Sequence, residues 1–191
     1  MSKADIFNSA LAVIGGPNQS SYVENADTDN SDQCIWLRSF WEDAVDFCVV
    51  ELKPIAAHKY AELSETDDEV EILEWVYAYT RPADCLTVVK VTDVGDHTKR
   101  YKKKESGKYI LCNVADVYLD YYTHLDYDDT AAMSVGFRQL VSARLAVKVA
   151  GIWKPDMIRI AEYKYKDTLI ESMRLEYQSE DEEETERWDE I

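Results

Sequence analysis

The strongest constraint on the fold is the stretch 75–91. Three aromatics at alternate positions, Trp75, Tyr77 and Tyr79, run into Arg81-Pro82-Ala83-Asp84-Cys85-Leu86 and then into the apolar segment Val88-Val89-Lys90-Val91. Large side chains at period two mark a half-buried strand, because successive strand residues face opposite sides of a sheet. Pro82 fixes its own φ and has no amide hydrogen for a ladder, so the strand ends there. A strand, a turn and a second strand therefore sit in the middle of a chain whose remaining periodicity is helical. No catalytic group is implied.

Ser2-Lys3-Ala4-Asp5 reads as a capping box, after which Ile6, Phe7, Ala10, Leu11 and Ile14 share one helical face until Gly15-Gly16 stops the helix. Residues 18–31 form a polar loop. A second helix is expected from Ser31, with Cys34, Leu37, Trp41, Ala44, Val45, Cys48 and Leu52 on one stripe, Arg38, Glu42, Asp43 and Asp46 opposite, and an end near Pro54. The acidic run 62–71, holding Glu65, Asp67, Asp68 and Glu69, is a solvated connection. Strands are expected at about 73–79, 86–92, 99–104, 108–112 and 116–122, with Glu105-Ser106-Gly107 as a hairpin turn.

From Ala131 the period is helical again. Phe137, Leu140, Val141, Leu145, Val149 and Ile152 make an apolar face, and Ala143, Ala146 and Ala150 allow a neighbour close approach. Trp153-Lys154-Pro155 breaks this helix. Pro155 suits the first turn of a fourth, in which Ile158, Ala161, Tyr165, Leu169 and Ser172 or Met173 share a face, running to about Tyr177. Beyond it, 179–191 is crowded with acids and has only Trp188 and Ile191 to bury, so a disordered tail is expected. The fold these elements predict is α+β: a four-helix bundle with a small antiparallel β insertion (about 73–122) between helices 2 and 3. One domain spans 1–177, and 178–191 is a flexible acidic C-terminal arm.

The chain has 191 residues, 46% of them hydrophobic, enough for one core. Its 38 acidic and 21 basic residues give a formal net charge of −17, which disfavours phosphate binding, since affinity for nucleic acid comes largely from Lys and Arg releasing counterions. The one reversal of sign is Lys99, Arg100, Lys102, Lys103 and Lys104 with Lys108. This basic hairpin reads either as a lysine-protected strand edge or as a contact for the acidic surface of a neighbouring subunit, with nucleic acid as the lesser possibility. Cys34, Cys48, Cys85 and Cys112 lie far apart and read as small buried apolar residues rather than disulfide or zinc partners. The opening 1–14 is too short and too interrupted for a signal peptide or membrane span.

His58, His97 and His124 have no metal-like spacing and no serine in a nucleophile turn beside them, so no catalytic residue, metal or cofactor is expected. His124-Leu125-Asp126-Tyr127-Asp128-Asp129 brings three carboxylates together but lacks the glycine and distal Glu of a calcium loop; it reads as a solvated cap. Carboxylates are so abundant that some pair always meets the spacing of a glycosidase by chance.

Three segments, in order, carry a resemblance: the opening helix closed by Gly15-Gly16-Pro17; Tyr79-x-x-Pro82-x-Asp84-Cys85-Leu86-x-Val88-Val89-x-Val91; and Phe137-Arg138-Gln139-Leu140-Val141-Ser142-Ala143-Arg144-Leu145-Ala146. Together they resemble the adaptor, or head-to-tail connector, proteins of short-tailed bacteriophages, the group of tail tubular protein A and the tail accessory factors. Many members carry a His-Pro-Trp-x-Phe-Ala run late in the second helix, where this chain has Val49 to Ala56.

The resemblance implies a non-enzymatic virion protein of the tail and neck, assembled in the host cytoplasm. It would form a homo-oligomeric ring, expected to be dodecameric, that docks on the portal protein, joins it to the tail nozzle protein, and lets DNA through without specific binding or membrane contact. On this reading Trp188, Ile191, Glu182 and Glu183 contact the portal, and the basic hairpin contacts the next subunit. Two alternatives belong to other classes. One is an acidic nucleic-acid mimic that inhibits a basic host protein. The other is a carboxylate-based cell-wall hydrolase, which would show a cleft holding a carboxyl group of raised pKa.

Overall fold

The computed structural model describes residues 1–15, 22–66, 74–94 and 98–188, with 177–188 as backbone only. Two compact units divide the chain: Met1–Ala56 with Leu125–Ile191, which is helical, and Ala57–His124, which is β.

In the helical unit, α1 (Lys3–Val13) opens on the expected capping box. The Asp5 amide donates to Ser2 Oγ at 3.2 Å and the Ser2 amide to Asp5 Oδ2 at 2.8 Å. Gly15, at φ 73, takes the chain out of the helix through a conformation that favours glycine. The expected second helix is two: α2 (Asp32–Ser39) and α3 (Trp41–Leu52). At the junction Ser39 Oγ donates to the Trp36 carbonyl at 2.8 Å, a side-chain bond of the kind that bends helices, and Phe40 leaves helical geometry with ψ near 0. Lys53, at φ 57, and Pro54 then end α3.

The core of this unit is α4 (Val135–Trp153), capped by Ser134 Oγ on the Phe137 amide at 3.1 Å and packed against α1, α2, α3 and α5 (Ile158–Trp188). Phe137, Leu140, Val141, Leu145 and Val149 are buried as their spacing requires, whereas Ile152 is exposed. Close approach to α5 occurs at Gly136, whose carbonyl accepts from Ser172 Oγ at 2.9 Å. A 3₁₀ turn, Pro155–Met157, leads into α5, which buries Ala161 and Ser172 on the expected face. The helix does not stop near Tyr177 but continues to Trp188, because glutamate has a helix propensity close to that of lysine and the segment contains no Gly or Pro. Asp189 to Ile191 lie outside the described residues.

The β unit corrects the expected fold further. It is no small insertion in a four-helix bundle: the described residues form five α-helices and seven strands in two antiparallel sheets. The strands are β1 (His58–Glu62), β2 (Tyr77–Thr80), β3 (Cys85–Asp93), β4 (Arg100–Tyr101), β5 (Lys103–Ser106), β6 (Tyr109–Cys112) and β7 (Val117–Thr123). One sheet has the order β1-β7-β3-β4 and the other β2-β6-β5. Tyr79, Cys85, Val91, Ile110, Cys112, Val117, Leu119 and Tyr121 from both sheets make one core with Leu63, which follows β1.

Strands expected at 86–92, 108–112 and 116–122 fall on β3, β6 and β7. The single strand expected at 99–104 is broken at Lys102, because the chain leaves the edge of one sheet there and becomes the edge of the other, a passage that requires a bend. Gly107, at φ 58, is the first of two turn residues between the paired Ser106 and Tyr109. The acidic connection is partly structured: Glu62 ends β1, and Glu65 bridges to Tyr79 and covers the outer edge of β2. Asp67, Asp68 and Glu69 lie outside the described residues.

Candidate assembly surface

β4 and β5 end their sheets in succession, so the basic run is laid along two adjoining edges. β4 pairs with β3 (Val91 opposite Tyr101, Thr92 opposite Arg100) and β5 with β6 (Lys103 opposite Cys112, Lys104 opposite Leu111). Alternation along the strand decides which cations face outward. Lys103 turns inward: its ammonium meets Glu105 Oε1 at 2.6 Å and the Val88 carbonyl at 3.4 Å, with the side chain 20% exposed. Lys102 and Lys104, on either side of it, are exposed, as are Lys99, Arg100 and Lys108.

Lys99 Nζ lies 5.2 Å from the Tyr101 ring centroid and Lys108 Nζ 5.0 Å from that of Tyr109. Tyr101 is held in turn by its hydroxyl, which donates to Asp93 Oδ2 at 2.7 Å. Among the described residues Arg100, Lys102 and Lys104 make no ion pair, so three cations stand unneutralised on an open strand edge. Arg81, within the opening motif, has a structural duty: its guanidinium donates to the carbonyls of Cys85 and Leu86 at 2.7 and 2.8 Å.

The proposed portal contacts fall elsewhere. Glu182, Glu183 and Trp188 lie on the final turns of α5, where only the backbone is described, and Ile191 is outside the described residues. The structure thus places the two proposed surfaces in different units of the chain.

Other polar groups cluster at positions that sequence periodicity does not mark as a site. Asp120, 3% exposed in the central strand β7, is hydrogen-bonded to His58 Nε2 and lies 3.6 Å from Lys90 Nζ. The His58 ring stacks on Tyr122 with centroids 5.0 Å apart. Asp84 accepts from Lys59 Nζ at 2.7 Å, Tyr121 at 3.1 Å and Thr123 at 3.2 Å. The Lys59 bond, with the two hydroxyl bonds, holds the Asp84 carboxyl below its ordinary value against the effect of burial. Burial and the Asp84 bond push the Tyr121 hydroxyl up to about 12. Both clusters tie β1 to β7 and to β3 or the turn before it. The sequence signal of the Asp120 cluster was the alternation Tyr118, Asp120, Tyr122, which puts an acid on the tyrosine face.

His124 is exposed, and His97 is outside the described residues. The carboxylates that follow His124 act on the backbone: Asp126 accepts from the Asp128 amide at 3.0 Å, and Asp129 from those of Ala131 and Ala132 at 3.2 and 3.1 Å. Among the described residues no group of three His, Cys, Asp or Glu side chains is placed to hold a metal ion. Among the described residues the carboxyl groups with shifted pKa, Asp5, Asp29 and Asp84, are all held down; in Asp5 and Asp29 the largest cause is a backbone amide, of Ser2 and Ser31. All four cysteines are buried and free.

Arg144, within the third segment of the resemblance, stacks its guanidinium 3.7 Å from the Phe47 ring centroid and 5.7 Å from that of Tyr165, joining α3, α4 and α5. No helix among the described residues is long and apolar enough to cross a membrane. Compared with known proteins, the chain matches no family model and no curated protein.

Proposed function

We propose that this protein is a non-catalytic virion component, a head-to-tail adaptor that closes into a ring on the portal of a short-tailed phage and joins it to the tail nozzle. The observation that carries the reading is the double edge of β4 and β5, where Arg100, Lys102 and Lys104 face outward without ion-pair partners among the described residues, in a chain of net charge −17. A cationic edge on an acidic molecule attracts another copy of the same molecule through a different, acidic patch. Such a contact is heterologous, and it gives a ring when the rotation per subunit closes.

The same charge balance serves the passage of DNA, because an acidic channel wall offers few cations for counterion release. The end of α5, with Glu182, Glu183 and Trp188, is the element offered to the portal. Large aromatics are enriched among the residues that dominate binding energy.

The test is charge reversal. Arg100→Glu, Lys102→Glu and Lys104→Glu together should leave the fold intact, since all three side chains are exposed, and should abolish ring assembly on the portal in co-sedimentation. Wild-type assembly should weaken when salt is raised from about 0.15 M to about 0.5 M. Undiminished assembly by the triple variant would overturn the role of this edge.

A further inference from the structure

The outward face of α5 carries a second feature, independent of the basic edge. While Ala161, Tyr165, Thr168 and Ser172 turn toward the core, Ile160, Tyr163, Asp167, Ile170 and Arg174 follow one another at steps of three and four residues on the opposite side. Ile160 is 53%, Tyr163 74% and Ile170 70% exposed. A single exposed apolar side chain needs no explanation, but three on one three-four seam reproduce the spacing by which helices pack on each other. The two polar members of the seam have opposite charge and lie one heptad apart. Asp167 meets only the exposed Lys164, at 3.7 Å, and Arg174 makes no ion pair among the described residues.

We infer that two copies of this chain pair through α5, antiparallel, across this seam. Charge complementarity selects both the occupant and the orientation. In a parallel pair each Asp167 faces Asp167 of the partner subunit, each Arg174 faces Arg174 of the partner subunit, and the acid-rich stretches 180–186 are brought side by side. Reversing one helix removes all three repulsions. Asp167 then meets Arg174 of the partner subunit, twice by the two-fold symmetry, and the acidic ends point apart. Ile170, midway between the two charges, sits at the axis and packs on its own copy, while Tyr163 and Ile160 fall opposite the partner subunit's Gln178 and Asp181. The contact is isologous, with one patch used by both partners, and so differs from the ring contact and does not depend on it.

Sedimentation of the full chain tests this. Wild type should be a dimer at micromolar concentration, and Ile170→Glu a monomer with an unchanged circular dichroism spectrum, because the side chain is outside the core. Asp167→Arg alone and Arg174→Asp alone each turn two attractions into two repulsions and should raise the dimer Kd about tenfold or more. The double variant, which is self-complementary again, should return it to near the wild-type value. A wild type that stays monomeric to about 100 µM would overturn the inference. So would a double variant as weak as the singles, or an Ile170→Glu protein that remains dimeric.

Discussion

Leu145→Ala is the substitution on which the account of the helical unit turns. Leu145 is 0% exposed on α4, and α4 is flanked by α1, α2, α3 and α5, so the space left by the side chain is walled by four helices rather than by a loop able to fall in. The change removes three carbons, costing about 2 kcal/mol in lost transfer free energy at about 0.8 kcal/mol each. A residual cavity of roughly 50–80 Å³ adds about 1–2 kcal/mol at about 24 cal/mol per Å³. The expected loss is therefore about 3–4 kcal/mol, read as a lower urea midpoint with unchanged slope by far-ultraviolet circular dichroism. Ile152→Ala on the same helix is the control: at 49% exposure it should cost about 0.5 kcal/mol or less. A Leu145→Ala loss below about 1 kcal/mol would refute the reasoning, since it would mean that this face of α4 is not enclosed in the free protein.

Gly136→Ala should stabilise the protein by about 0.5–1 kcal/mol, because a Cβ there would stand 3.4 Å from Ser172 Oγ and 3.5 Å from its Cα, ordinary contact, while the helix gains alanine's propensity; destabilisation in thermal melts would show that α4 and α5 cannot accept even a methyl. Asp84→Asn tests the sign of a carboxylate. The Asp84 pKa is depressed in the folded state, so its contribution is present above the unfolded pKa of about 3.9 and is lost as pH falls through the lower folded value. At 44% side-chain exposure the difference between wild type and variant should be about 1 kcal/mol or less at pH 6, shrinking below about pH 4; a difference that grows on acidification would contradict the assignment.

The elements legible in the sequence were those whose cause is local. Ser2 and Asp5 cap α1 within one turn, the α4 face repeats at helical spacing, and Gly107 supplies the φ a tight hairpin needs. What escaped depends on partners distant in sequence. His58-Lys59-Tyr60-Ala61-Glu62 has little strand character of its own and becomes β1 because β7 pairs along its whole length, His58 opposite Tyr122 through Glu62 opposite Tyr118. The division of the basic run at Lys102 follows from the existence of two sheets, which periodicity within one strand does not encode. The break at Phe40, where the Ser39 hydroxyl bonds back to the Trp36 carbonyl, leaves the apolar stripe from Cys34 to Leu52 uninterrupted.

The candidate surface was legible in kind, since six cations stand out in an acidic chain, but not in detail. Sequence alone did not separate Lys103, occupied by Glu105, from Lys102 and Lys104 on either side. The seam on α5 shares its helix with a core stripe on the opposite face, and that stripe dominates the apolar periodicity of the segment.

The most direct measurement of the central claim is single-particle imaging of the protein mixed with a short-tailed phage portal. The expected result is a closed ring of this chain on the portal, with the β4 and β5 edge of each copy against an acidic surface of the next and the end of α5 against the portal. Portal particles bare of added density at micromolar protein, or density placed with those edges in solvent, would contradict it.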